Sequence, residues 1–174
     1  LVAPGVVNYP REARYRWADL PPRARRREAE NLLRAAGFGP ERRLRLEVSH
    51  VGAGDAPRLA AAQRSWAAIA PWVEVVLRPA DSAQAHEARL RAGDFDIGEG
   101  QSPGLVNDAF SFLEPFSERS AARNYSGYAN PEFDRLLRES DLDADLQKRG
   151  RLLAQAEQIL LDDAPLCVSG YSNS

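Results

Sequence analysis

The sequence predicts an α/β fold: a mostly parallel sheet flanked by helices. Two observations carry this. Short apolar-alternating or β-branched runs recur at 44–48, 73–77 and 95–97. Between them lie longer segments with helical apolar spacing, bounded by Gly, Pro, Asp or Ser. The order strand, helix, strand, helix, strand implies crossover connections, because parallel neighbours cannot be joined by a tight hairpin.

The elements follow in order. Residues 1–22 carry Pro4, Gly5, Pro10, Pro21 and Pro22 without a steady period and read as an irregular lead-in. Arg23 to Ala36 reads as a helix, with Ala29, Leu32, Leu33 and Ala36 at three- and four-residue steps and Gly37 as the stop. Its arginine cluster, Arg23, Arg25, Arg26 and Arg27, alternates with Glu28 and Glu30 and reads as a solvated face. Leu44-Arg45-Leu46-Glu47-Val48 alternates strictly, and 51–55 is then a loop. Pro57 to Ile69 reads as a helix capped by Asp55 or Ala56, and Pro71 breaks it.

Val73 to Leu77 is the second strand. Asp81 or Ser82 caps a helix to about Arg91, ended by Gly93. Phe95-Asp96-Ile97 is the third strand, and 98–104 is a Gly/Ser/Pro loop. Asp108 to Phe116 is a short aromatic-rich helix or turn. Asn130 caps a helix from Pro131 to about Glu139, and Leu142 to Leu161 is the longest helix. Leu166-Cys167-Val168 reads as a final short strand.

Composition bounds the function. The chain has 174 residues, 44% hydrophobic and 28% charged, enough for a real core. A net charge of -2 provides no general basic field, so no nucleic-acid partner is expected. No apolar run approaches the roughly 20 residues of a membrane-spanning helix. The chain opens Leu1-Val2-Ala3-Pro4 and contains no Met, so a piece of a longer or processed protein is expected. One cysteine excludes an internal disulfide and a multi-cysteine zinc site.

The chemistry-bearing residues are few. His50 follows the first strand and reads either as a ligand contact or as a solvent-facing polar residue. His86 reads as an inert residue on a surface helix. Cys167 reads as a small buried hydrophobe in an apolar strand rather than as a nucleophile. Asp94 and Asp96 share one side of a strand, but turn-forming and strand-end roles fit them better than acid–base work. Gly98, Gly100 and Gly104 lack the spacing of a phosphate loop. No catalytic residue, metal or cofactor is expected. Ligands of open α/β sheets sit beyond the carboxyl ends of strands, which directs attention to the loops 49–55 and 98–107.

At this point one stretch carries a resemblance. Asn124-Tyr125-Ser126-Gly127-Tyr128-Ala129-Asn130-Pro131-Glu132-Phe133-Asp134-Arg135-Leu136-Leu137 is followed by Arg149, by Ala156-Glu157-Gln158-Ile159-Leu160 and by Asp163-Ala164-Pro165. Together with the helix Arg27 to Phe38, Trp66 and Gly93-Asp94-Phe95-Asp96-Ile97, it resembles the dipeptide- and oligopeptide-binding proteins of bacterial ABC importers over essentially the whole chain. The resemblance implies one lobe of a type II periplasmic-binding-protein-like fold, with 1–174 forming a single C-terminal lobe of a longer two-lobed protein. It implies a peptide or other small-molecule ligand held in an interlobe cleft, delivery to ABC permease subunits in the membrane, and a monomer. The expected location is periplasmic, or extracellular and membrane-anchored. A solute-sensing domain of a transcriptional regulator with the same fold is the alternative.

In the family the ligand-reading segment follows the third strand. It carries a Trp, an Asp that pairs with the peptide's α-ammonium in many members, a second Asp and a Pro. Counted without gaps, this chain has Ser102, Leu105, Asp108 and Ala109 there. The expected ligand surface is Glu99, Gln101, Ser102, Pro103, Leu105 and Asp108, joined by His50 from the end of the first strand, and the resemblance implies leucine in place of the usual amine-reading carboxylate.

Overall fold

Three apolar runs form one sheet in the computed structural model, which describes residues 1–10, 12–52, 56–100, 107–120 and 122–168. The strands are β1 (Leu44–Val51), β2 (Val73–Ala80) and β3 (Ile97–Gly98), all parallel, in the order β2-β1-β3. β1 and β2 each run three residues beyond the pattern expected from sequence. Val48, Ser49 and His50 are all buried, so the end of β1 is covered on both faces and alternation there carries no signal. β3 is shorter and later than expected. The Asp96 carboxylate accepts the Glu47 N–H at 2.8 Å, a side chain standing where a backbone ladder bond would otherwise begin.

The chain divides into two compact units, one of Asp19–Gln101 and one of Leu1–Ala18 with Ser102–Ser174. The first holds the sheet with helices α1 (Pro22–Ala35), α2 (Ala56–Ala67) and α3 (Ala83–Ala92). Its core joins Val48, Leu59, Trp72, Val73 and Val75, with Leu33, Phe38 and Trp66 packed against it. Leu33 of α1 reaches this core while Leu32 stays half exposed, so the apolar stripe of α1 is narrower than its sequence suggests. Ser82 caps α3, accepting the Ala85 N–H at 3.1 Å. The Asp55 cap expected for α2 lies outside the described residues. Gly98 suits close packing: a Cβ there would stand 2.4 Å from Leu90 Cδ2, so the leucine side chain would have to shift.

The second unit is helical. α4 (Phe110–Leu113) runs into two 3-10 turns, Glu114–Phe116 and Glu118–Ser120, followed by α5 (Pro131–Leu142) and α6 (Leu146–Asp163). Its core is Leu113, Phe133, Leu136, Leu137, Leu153, Ala156 and Leu160. Full burial of each leucine or phenylalanine contributes about 1.5–3 kcal/mol. Asn130 caps α5, accepting from Glu132 N at 3.0 Å and Phe133 N at 3.2 Å, with Pro131 at the first position. α5 runs to Leu142 and α6 begins only at Leu146, because Asp145 caps α6 through Gln147 N and Lys148 N. Gly150 lets α6 approach the lead-in: a Cβ there would meet the Asn8 carbonyl oxygen at 2.2 Å. Buried Glu157 accepts the Val2 N–H at 2.7 Å and the Tyr9 hydroxyl.

Two sequence expectations are corrected. Leu166-Cys167-Val168 forms no strand. It finds no strand partner among the described residues, and the Val168 N–H donates instead to the Tyr15 hydroxyl at 3.4 Å. Cys167 is accordingly exposed rather than buried in an apolar strand. His86 is no surface residue either: it is 6% exposed, because it shares a face of α3 with Leu90 one turn on, and that face packs inward.

Candidate ligand-binding site

The strand order places a candidate site. The connection from β1 through α2 to β2 runs one way across the sheet, and the connection through α3 to β3 runs back past β1. Right-handed crossovers in opposite directions put their helices on opposite faces. The side chains agree: on β1, Val48 packs with Leu59 of α2, while the next residue, Ser49, meets His86 of α3. The order therefore reverses between β1 and β3, and the crevice beyond their carboxyl ends is where open α/β sheets take ligands.

His50 and Glu99 stand at those two ends. Ser49 pairs with Gly98 in register, and the Glu99 N–H donates to the Ser49 carbonyl at 2.9 Å, continuing the ladder one residue past β3. The Glu99 carboxylate accepts from the Arg58 guanidinium of α2. The Glu99 carbonyl oxygen lies 2.7 Å from His86 Nε2, and the Ser49 hydroxyl lies 3.0 Å from His86 Nδ1. His50 is 4% exposed and its Nδ1 has no hydrogen-bond partner among the described residues. An unpartnered buried polar group costs about 1–3 kcal/mol, so this imidazole is held at some expense to stability.

Asp108 belongs to the other unit and is fully engaged there. Its carboxylate takes a bidentate pair from Arg149 of α6, at 2.6 and 3.0 Å, and accepts the Phe110 N–H at 2.8 Å. Burial alone would raise its pKa, but the Arg149 hydrogen bond, the Phe110 N–H and the Arg149 charge outweigh that and hold it below the usual carboxylate range. Asp108 thus opens α4 and ties it to α6. Gln101, Ser102, Pro103 and Leu105 lie outside the described residues.

Asp94 and Asp96 have structural partners. Arg78 donates to Asp94 at 3.0 Å, which lowers the Asp94 pKa, and Asp96 holds the Glu47 N–H. Among the described residues no group of three or more His, Cys, Asp or Glu is placed to hold a metal. Sequence reasoning missed Ser49, Arg58 and His86. The available signals were Ser49 as the polar residue inside an apolar strand and the helical spacing of His86 to Leu90.

Comparisons with known proteins place this geometry in context. No family model matches the sequence. The oligopeptide-binding protein OppA of Bacillus subtilis is 38% identical over 78 residues, 45% of this chain and 14% of OppA. The periplasmic murein peptide-binding protein MppA of Escherichia coli is 26% identical over 147 residues, 84% of this chain and 27% of MppA. The solved structure of MppA superposes with a TM-score of 0.86 at 22% identity, covering 94% of this chain and 31% of that one. The probable deoxycholate-binding periplasmic protein YgiS of Escherichia coli is 31% identical over 142 residues, 79% of this chain and 25% of YgiS. The chain therefore spans about a quarter, or less, of the length of the curated relatives it matches. The fold is that of type II periplasmic binding proteins.

Proposed function

We propose that this chain, whose relatives and structural neighbours are peptide-binding solute-binding proteins of ABC importers, forms part of an extracytoplasmic protein that captures small solutes for an importer. Oligopeptides are the first solute class to test. The observation that carries the reading is the crevice at the strand reversal, where a fold shared with peptide-binding proteins ends in His50 and Glu99 rather than in a catalytic set. An imidazole nitrogen with no partner among the described residues at such a crevice suits a site whose hydrogen bonds are completed on binding. The ligand surface in this reading is His50 with 98–108, including Glu99, Gln101, Ser102, Pro103, Leu105 and Asp108. Asp108 itself is held by Arg149 within the helical unit. The named relatives are binding proteins and lend no support to a transcriptional regulator or an enzyme.

A second ligand class has a specific basis. One relative, YgiS, is described as binding deoxycholate, and Leu105 stands where many peptide binders carry an amine-reading Asp. A leucine cannot balance a buried ammonium, which costs several kcal/mol without a counter-charge. Calorimetry of the complete protein against trialanine, acetyl-trialanine and deoxycholate separates the cases. The reading expects binding of at least one of them, with trialanine and its acetylated form within about tenfold, roughly 1.4 kcal/mol. A larger loss on acetylation shows that a carboxylate does read the amine.

A further inference from the structure

We propose that His86 is a positioning residue that fixes the direction in which the chain leaves β3 and enters the proposed ligand surface. The proposal rests on the solute-binding reading only for the purpose of that surface. The geometry itself stands on hydrogen bonds.

The Glu99 carbonyl oxygen, 2.7 Å from His86 Nε2, can only accept. Nε2 must therefore carry the proton. In the neutral imidazole Nδ1 is then a bare acceptor, and the hydroxyl of Ser49, 3.0 Å away, donates to it. The Glu99 N–H in turn donates to the Ser49 carbonyl at 2.9 Å. These three bonds close a ring: Ser49 to His86, His86 to Glu99, Glu99 back to Ser49. Its members come from β1, from α3 and from the residue after β3.

Both ring nitrogens of His86 are used, and both it and Ser49 are buried, at 6% and 1% exposure. Ring members that satisfy one another in a poorly solvated place resist opening more than exposed bonds do. β3 itself is two residues long, too short to hold the following segment by ladder bonds alone. The ring supplies the missing hold on the backbone of Glu99, while Arg58 takes its carboxylate. A loop that must present side chains to a ligand is most useful when its root is rigid. His86 provides that rigidity through the Glu99 backbone.

The test has three readouts on the complete protein. Nitrogen-15 spectra of labelled imidazole are expected to show His86 as the Nε2–H tautomer. The Nδ1–H tautomer overturns the proposal, because the ring cannot then close. Hydrogen exchange at the Glu99 amide is expected to quicken at least tenfold in His86→Leu, while amides within β1 and β2 keep their rates. His86→Gln, which retains a donor for the Glu99 carbonyl, should stay within about threefold of the wild type. Unchanged Glu99 exchange in His86→Leu overturns the proposal, as does equal quickening in the Gln variant. If His86→Leu fails to fold, the tautomer and the Gln variant still decide it. The third readout is trialanine affinity, expected to weaken at least tenfold in His86→Leu and to recover in His86→Gln. Equal affinity in all three proteins overturns the positioning role. Failure of the wild type to bind trialanine, acetyl-trialanine or deoxycholate counts against the solute-binding reading, while the tautomer and the exchange rates still decide the ring.

Discussion

The two units of this chain use polar residues for opposite ends. Among the described residues of the helical unit, several polar groups are matched to partners that stabilise element boundaries or tie elements together. Asn130 caps α5, Asp145 caps α6, Asp108 pairs with Arg149, and Glu157 gathers the lead-in through Val2 and Tyr9. In the sheet-bearing unit the buried polar groups collect at one place, the carboxyl ends of β1 and β3. There Ser49, His86 and Glu99 satisfy each other, while the His50 Nδ1 has no partner among the described residues. The contrast teaches where stability gives way to another demand: among the described residues, the buried polar atom left without a partner lies at the strand ends and not in the helical unit.

The largest expected effect falls in the helical unit. Phe133 is completely buried at the centre of the α5–α6 core. Phe133→Ala should cost about 3–5 kcal/mol, read as loss of exchange protection across 131–163. A cost below about 1 kcal/mol would mean that this core is loosely packed and the contrast overstated.

The Arg149–Asp108 pair comes next. Arg149→Ala should cost about 1–2 kcal/mol, since the pair is bidentate and only part-exposed. The Asp108 pKa is lowered in the folded state, so its contribution is fully present above the ordinary carboxylate pKa. It is lost as pH falls through the lowered folded value. Acid denaturation followed by circular dichroism should therefore be flatter on its acid limb in Arg149→Ala than in the wild type. Asn130→Ala should cost about 1 kcal/mol in urea denaturation, from the two N–H groups it leaves uncapped.

The smallest effect carries the opposite sign. His50→Leu removes a buried nitrogen that has no partner among the described residues. It should leave stability unchanged or raise it by up to about 1 kcal/mol, while weakening ligand binding. Destabilisation by more than about 2 kcal/mol would show that His50 is a structural residue like Glu157, and the two units would no longer differ.

Much of the fold was legible in the sequence because local signals agreed with the final packing. The parallel order followed from strand–helix alternation, and the caps at Ser82 and Asn130 followed from residue type and position. The ends of elements were less legible. Where β1 is buried on both faces the period-2 pattern vanishes, and the Asp145 cap that separates α5 from α6 sits in a run of similar Asp and Leu residues. Leu166 to Val168 shows that an apolar run becomes a strand only when a partner exists. The candidate site was legible as a location, since the sequence places His50 and Glu99 near the ends of two predicted strands. The His86 ring was not, because it joins three residues far apart in sequence through bonds that only the folded sheet brings together. Asp108 read as part of a ligand surface because nothing in its own segment announces its pairing with Arg149, 41 residues on.

The most direct test of the central claim is a hydrogen-exchange footprint of the complete protein with and without a saturating mixture of peptides two to five residues long. The account predicts slowed exchange within this chain at 98–108 and around His50, with the α5–α6 region unchanged. Slowing confined to 131–163, or none anywhere in the chain, would contradict it.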